Sequence, residues 1–349
     1  MTLTRISRLQ QQIKPGQLFY ITNLINVRYL TGFTGSNAAL LVTEGDAIIA
    51  TDSRYEIQVR EQVPDLQPVI GRDFPGLLLS KVAKSEVLVE GSSLSVNSYQ
   101  NLVATLDHEF VTTAGIVENL RIVKEESEVA LIRTACEIST QAFMDVIKTV
   151  KAGQSEKHIR NALENRMREL GADDIAFESI VAAGSNSAIP HHEPTDKELQ
   201  SGDFLKIDFG AKFDGYHADC TRTAVVGKPA EWQVELHSAV TKAQLAGRQT
   251  IRSEILFKDV EQAVNHSLIE SGYREYFTHG LGHGVGLEIH EEPFFGRVET
   301  AKIAPNTVIT IEPGAYLNNK GGVRVEDTIV VNSAGYQNLT NLTYELLEL

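Results

Sequence analysis

The stretch Phe204-Leu-Lys-Ile-Asp208-Phe-Gly-Ala-Lys-Phe-Asp214-Gly-Tyr-His-Ala-Asp219-Cys220 reads as two short strands joined by a turn. Leu205, Ile207 and Phe209 fall on one side of the first strand, which puts Asp208 on the other, so apolar residues can form core while the acid lines a site. If Lys212 to Gly215 form a four-residue loop, Ala211 lies opposite Tyr216, and the same register sets Asp208 directly opposite Asp219. Like charges at cross-strand distance repel, and a folded protein tolerates them when they share a proton or hold a cation. Capping a turn, or pairing with Lys206 or Arg222, is the alternative use of either acid.

Further along the chain, His279-Gly-Leu-Gly-His283-Gly-Val-Gly286 is a glycine-rich loop that presents two imidazoles on a backbone able to approach a site closely. Glu312 ends the apolar run Val308-Ile-Thr-Ile311 and is followed by Pro313-Gly314, so its carboxylate sits at a strand end against a sharp turn. In Gly322-Val-Arg324-Val-Glu326-Asp327, strand alternation predicts Arg324 and Glu326 on one face. Two Asp, two Glu and one His form an oxygen-rich donor set with a single nitrogen. Such a set suits a pair of Mn²⁺, Fe²⁺, Co²⁺ or Zn²⁺ ions better than a structural zinc cage, which would want thiolates.

The rest of the chain sets the frame. With 349 residues, two domains can each bury a core, and the pattern changes near Asn119, so the expected units are residues 1–121 and 122–349. The first alternates short apolar runs (39–42, 47–50, 87–89) with helical patterns around 55–62 and 98–106, the rhythm of a small α/β unit. The second opens with a long helix that buries Val129, Ile132, Ala135, Cys136, Ile138 and Ser139. It continues with a helix over about 155–170, strands at 180–183, 204–209 and 217–226, helices at about 232–248 and 257–271, and strands near 308–312 and 323–331. A net charge of −14 argues against nucleic acid, whose phosphates need clustered Lys and Arg. No stretch approaches the roughly 20 apolar residues of a membrane helix, and the polar, amphipathic residues 1–12 are unlike a signal peptide, so a cytoplasmic protein with no membrane partner is expected. Two cysteines are too few for a disulfide framework.

These residues together resemble the pita-bread metallopeptidases, the family of methionine aminopeptidase, aminopeptidase P and prolidase. Asp208, Asp219, His283, Glu312 and Glu326 match its five metal-ligand positions in order, over a resemblance that spans 126–349. Asn26-Val-Arg-Tyr-Leu-Thr-Gly-Phe-Thr-Gly-Ser36 and Thr51-Asp-Ser-Arg-Tyr55 resemble the creatinase-like accessory domain of the proline-specific branch, which methionine aminopeptidases generally lack. The resemblance implies a creatinase-like α/β domain followed by an α+β pita-bread catalytic domain. It also implies two divalent ions, manganese first with cobalt, zinc or iron accommodated, and a homodimer. Asp219 and Glu326 would bridge the ions, Asp208 would bind the first, and His283 with Glu312 would complete the second. Glu312 would also shuttle a proton. His191 resembles the outer histidine near the scissile bond, ahead of its neighbour His192, and His290 the one that steadies the tetrahedral intermediate. His279 resembles a substrate-side histidine, and Arg324 would orient a ligand carboxylate.

The implied reaction is removal of the N-terminal residue from peptides with proline at the second position. Proline calls for a specialised site because its imide has no N–H to donate and its ring fixes φ. Phe294 or Tyr216 could line a pocket for that ring, with core packing as the alternative. Prolidases usually carry an arginine just after the His-Glu-x-Pro stretch, where it clamps a dipeptide's carboxylate; here Phe294 follows Pro293, and Arg297 and Arg54 are the substitutes at hand. Losing the clamp favours longer peptides, so aminopeptidase activity is expected ahead of Xaa-Pro dipeptidase (prolidase) activity. Creatinase, which works without metal, and non-catalytic peptide- or protein-binding relatives lack the full acidic set present here.

Overall fold

The computed structural model describes residues 2–298 and 300–349; Met1, the first residue of the amphipathic N-terminal stretch, lies outside them. The chain divides into two compact units, Met1–Arg121 and Ile122–Leu349. No helix among the described residues is long and apolar enough to cross a membrane.

In the first unit, strands β1 (Gln17–Ile21), β2 (Ala38–Val42), β3 (Ala47–Thr51), β4 (Pro68–Ile70), β5 (Glu86–Glu90) and β6 (Glu109–Thr113) form one sheet in the order β4-β3-β2-β1-β5-β6. β2 runs antiparallel to β1 and β3, while the remaining pairs are parallel. Helices α1 (Thr2–Gln10), α2 (Leu24–Thr31), α3 (Glu56–Gln62), α4 (Phe74–Leu79), α5 (Val96–Thr105) and α6 (Ile116–Ile122) complete it. α2 starts at Asn23, whose side chain accepts from Ile25 N at 2.9 Å, and stops at Gly32, whose φ of 81° suits a residue without Cβ. Buried Asn26 on α2 donates to Glu90 at 2.7 Å and to Glu118 at 2.8 Å, and it accepts from Arg121 at 3.0 Å. The Asn26 amide thus has partners for its N–H groups and for its oxygen, which avoids a cost of about 1–3 kcal/mol per orphaned group.

The second unit repeats one principle twice: a helix pair covers the apolar face of a sheet. α7 (Glu126–Ile147) and α8 (Glu156–Glu169) pack on a sheet that contains β8 (Ile180–Ala183) and β9 (Phe204–Phe209). Short strands β7 (Asp174–Ile175), β10 (Ala211–Phe213) and β11 (Tyr216–His217) flank it, and β12 (Cys220–Val225) pairs with β9. Ile138, Phe143, Ile159 and Leu163 meet Leu205, Ile207 and Phe209, and the Phe143 and Phe209 rings stack with centroids 5.1 Å apart. The second pair, α9 (Glu231–Thr250) and α10 (Phe257–Glu270), covers the sheet that holds β13 (His283–Gly284), β14 (Glu291–Phe294) and β15 (Val308–Ile311). The hairpin of β16 (Gly314–Leu317) and β17 (Gly321–Arg324) follows, then β18 (Asp327–Asn332) and β19 (Gly335–Asn338) of that second sheet; β20 (Leu347–Glu348) returns beside β12. Val260, Val264 and Leu268 bury against Ile309, Ile311, Ile329 and Val331. At roughly 1.5–3 kcal/mol for each fully buried side chain of this kind, these two contacts dominate the unit's stability.

Because side chains alternate along a strand, covering one face with helices leaves the other for polar residues. Lys206 and Asp208 on β9, Thr221 and Thr223 on β12, Thr310 on β15 and Thr328 on β18 all occupy that second face and are all buried. Their bonds tie neighbouring segments together: Thr328 Oγ1 on β18 donates to Asp219 O just before β12 at 2.7 Å, and Thr223 Oγ1 on β12 donates to Arg324 O of the β16–β17 hairpin at 3.1 Å.

Candidate metal centre

The β9–β12 ladder corrects the expected register by two residues. Asp214-Gly215 alone makes the turn, both with positive φ (43° and 77°), so Phe213 pairs with Tyr216 and Asp208 with Thr221. A two-residue Asx-Gly turn with this handedness matches the twist of a hairpin better than the four-residue loop. Asp219 therefore stands diagonally from Asp208, two residues before its cross-strand partner, and both acids remain on one face. The expected strand over 217–226 is also broken, at Ala218-Asp219, where the chain folds in so closely that a Cβ on Gly210 would lie 1.8 Å from Ala218 O. Glycine at 210 is what permits that approach.

The expected strand over 323–331 breaks in the same way, and Glu326 lies in the gap between β17 and β18 rather than in a strand. Its backbone N donates to Thr221 O at 3.1 Å, and its Oε2 accepts from Thr221 Oγ1 at 2.6 Å. Glu312 follows β15 directly, and its N donates to Leu281 O at 2.9 Å. His283 is held by its own N donating to Thr310 Oγ1 at 3.1 Å and by ring Nδ1 facing Gly284 O at 3.0 Å. A carbonyl can only accept, so Nδ1 carries the proton and Nε2 keeps its lone pair, 3.5 Å from both Asp219 Oδ2 and Glu312 Oε1. The flanking glycines allow this: a Cβ at Gly282 would meet Thr310 O at 2.2 Å, and one at Gly284 would meet Glu292 O at 2.3 Å.

Donor atoms of Asp208, Asp219 and Glu326 lie within 4.8 Å of one another, as do those of His283, Glu312 and Glu326. They border a cavity of about 110 Å³ that His191, His290, Arg324, Phe177 and Ile180 also line. Burial, then the charges of its neighbours, pushes Asp219 and Glu326 well above the ordinary carboxylate range. Burial likewise raises Glu312 to about 7, with Arg324 opposing and Asp208 adding to the rise. At an effective dielectric of about 20, two charges about 4 Å apart interact by roughly 4 kcal/mol, so several carboxylates here cannot all ionise against Arg324 alone. A divalent cation among them adds an attraction that offsets both the burial and the mutual repulsion. Asp208 Oδ1 supplies an independent sign: it is buried and, among the described residues, has no hydrogen-bond partner. An oxygen-rich set with one imidazole fits ions of the Mn²⁺, Fe²⁺, Co²⁺ and Zn²⁺ kind.

The other expected residues fall as follows. His191 borders the cavity, while His192 turns away to buried Glu156, 2.8 Å from Oε2. The His290 ring meets His283 edge-on with centroids 4.4 Å apart. His279 does not line the cavity; its Nε2 contacts Tyr316 OH at 2.8 Å, and its Nδ1 is 3.9 Å from Glu312 Oε2. Arg324 donates to Asp208 Oδ2, to Thr221 Oγ1 at 3.0 Å and to Tyr316 OH at 3.1 Å. Lys206 donates to Ile189 O and Arg222 to Asp327, so neither expected alternative partner of the two acids pairs with them. Tyr216 is core, its hydroxyl donating to Glu128 at 2.9 Å. The Arg297 guanidinium sits 4.4 Å from the Phe294 ring centroid, and Arg54 pairs with Asp52 at 2.8 Å inside the first unit. Sequence reasoning missed Thr221, Thr310 and Tyr316, which hold Glu326, His283 and Arg324; the alternation of Thr221 and Thr223 along β12 was the available signal.

Fold and site together define a metallopeptidase. The chain belongs to metallopeptidase family M24, whose model matches residues 130–333, and the creatinase/prolidase N-terminal domain matches residues 5–123. It is 33% identical over 329 residues to an Xaa-Pro dipeptidase of Pyrococcus furiosus, covering 94% of each chain. Among solved structures it is similar to an Xaa-Pro dipeptidase from Bacillus anthracis (TM-score 0.96, 34% identity, 100% of both chains). It is also similar to an X-Pro aminopeptidase from Thermotoga maritima (TM-score 0.91, 34% identity, 98% of this chain and 100% of that one). Enzymes of this family are hydrolases that use divalent metals.

Proposed function

We propose that this chain is a metal-dependent Xaa-Pro aminopeptidase that releases the residue before proline from the N-terminus of peptides. The observation that carries the reading is the convergence of Asp208, Asp219, His283, Glu312 and Glu326 on one cavity beside His191 and His290. Those five side chains would hold two divalent ions, manganese first. Such a pair, when bound, acidifies water and polarises a carbonyl.

The chain's own residues do the rest. Glu312, which borders the cavity 3.5 Å from His283 Nε2, would take the proton of the attacking water and deliver it to the leaving imide nitrogen. His191 and His290, on the cavity wall, contact the peptide and donate to the oxygen that gains charge as the carbonyl becomes tetrahedral. Arg324 fixes Asp208 through one oxygen, so that the other would be available to hold an ion.

Phe294 supports the aminopeptidase reading, since an aromatic ring at that position offers nothing to a dipeptide's carboxylate. The Xaa-Pro dipeptidases among its relatives support the second reading, dipeptide cleavage, for which Arg297 beside Phe294 would be the clamp. Assaying the Mn²⁺-loaded protein on matched Xaa-Pro dipeptides and Xaa-Pro-Yaa tripeptides separates them. A higher kcat/KM on tripeptides is expected. A large dipeptide preference would establish the second reading, and cleavage of Met-Ala-Ser without any Xaa-Pro hydrolysis would overturn both.

A further inference from the structure

The segment that carries His191 has no regular structure of its own beyond the short 3₁₀ turn Gly184–Ala188, yet a buried amine grips it on one side and a buried carboxylate on the other. Before His191, fully buried Lys206 sends its ammonium to Ile189 O at 2.6 Å and Pro190 O at 3.2 Å, and Arg324 adds a bond to Pro190 O at 3.2 Å. After it, Glu156, whose exposure is 0%, accepts from His192 Nε2 at 2.8 Å, Thr195 N at 2.8 Å and Thr195 Oγ1 at 2.7 Å. The other oxygen of Glu156 accepts from Ala183 N at 2.7 Å and Asn186 Nδ2 at 2.9 Å. His191 is thus the residue between the two grips, and it makes none of these bonds.

We propose that Lys206 and Glu156 are positioning residues that fix His191 at the cavity wall by clamping the backbone on either side of it. This rests on the reading that His191 acts on the substrate. A buried ion is a poor source of net stability, because desolvation cancels much of what its partners return. Two such buried ionisable groups on one irregular segment are better accounted for by the precision they impose, since a misplacement of about 1 Å at a reacting group costs on the order of 100-fold in rate. Lys206 occupies the same face of β9 as Asp208, so one strand sets both a metal-binding carboxylate and the height of the segment opposite it.

The test uses Glu156→Gln and Lys206→Met, each alone and combined with His191→Ala. Each single variant should lose on the order of 10- to 100-fold in kcat/KM on an Xaa-Pro tripeptide while Mn²⁺ stoichiometry is unchanged. In the His191→Ala background the same substitutions should cost less than about twofold, because the clamp then positions nothing. Hydrogen exchange followed by mass spectrometry supplies a readout free of activity: amides of 189–195 should exchange faster in both variants while those of 204–209 keep wild-type protection. Undiminished losses in the His191→Ala background, or unchanged exchange in 189–195, would overturn the proposal. A wild-type protein inactive on every Xaa-Pro peptide would instead sink the functional reading, and the exchange result would still decide the clamp. Should Glu156→Gln fail to fold, Thr195→Val removes one donor to Glu156, together with the acceptor of Lys197 N, and must give the same pattern at smaller amplitude.

Discussion

Arg324 grips one oxygen of Asp208 and leaves the other buried with no hydrogen-bond partner among the described residues. That asymmetry separates a structural ion pair from a ligand held in readiness, since a purely structural pair would satisfy both oxygens. Replacing Arg324 by Met removes the grip at similar length. Mn²⁺ affinity, measured by calorimetric titration, should fall on the order of 10- to 100-fold, as for other residues that orient a ligand. Wild-type affinity in Arg324→Met would show that Asp208 needs no such support.

Proton release should accompany metal binding. In the metal-free cluster Glu312 sits at about 7, and Asp219 and Glu326 sit well above the ordinary range, all three chiefly through burial. A cation takes the ionised forms, so binding at pH 7 expels protons and apparent affinity rises with pH until the carboxylates ionise unaided. Titrations in two buffers of different ionisation enthalpy should report at least about 0.5 proton released per chain, the share Glu312 alone contributes at its midpoint. Heats that do not depend on the buffer would contradict the assignment.

Away from the metal centre, His237 on α9 gives the clearest pH signature. Burial, helped by Arg222, lowers its pKa to about 4. The unfolded chain therefore takes up the proton first, and the contribution of His237 is intact above about 6.5 and lost as pH falls towards 4. The shift is worth at most about 3 kcal/mol. Urea unfolding at a series of pH values, in chelator throughout, should show a smaller loss across that window in His237→Gln than in the wild type. Parallel curves would rule the residue out.

Substrate length should be adjustable at one position. The Phe294 ring lies 6.3 Å from the His283 ring and packs under Arg297. Phe294→Arg adds a guanidinium beside His283, and a charge-assisted bond to a carboxylate is worth about 1.5–3 kcal/mol. The ratio of kcat/KM for dipeptides over tripeptides should therefore rise on the order of 10- to 100-fold, as read by competition between the two substrates. An unchanged ratio would place the length determinant elsewhere.

Much of this was legible before any coordinates, and the exceptions have physical causes. Strand alternation put Asp208 opposite the core residues Ile207 and Phe209, and the spacing along α7 identified the buried face from Val129 to Ser139. What alternation could not supply was the pairing register, because the Asp214-Gly215 turn admits two loop lengths and only φ decides between them. Nor could it see that β12 and β18 begin after breaks. Those breaks depend on tertiary contacts, Gly210 against Ala218 and Glu326 N on Thr221 O, and they are what aim Asp219 and Glu326 inward. In the first unit, α2 went unread as a helix although Asn23 and Gly32 mark both of its ends, because its apolar residues Val27, Tyr29 and Leu30 are buried on more than one side. His279 lies on the expected loop and stands between Tyr316 and Glu312.

Metal content per chain tests the central claim most directly. After loading with Mn²⁺ and gel filtration, elemental analysis should find two ions per wild-type chain and no more than one in Glu326→Ala, since that carboxylate is shared by the group with Asp208 and Asp219 and the group with His283 and Glu312. No retained metal in the wild type, or two ions still bound without Glu326, would contradict the account.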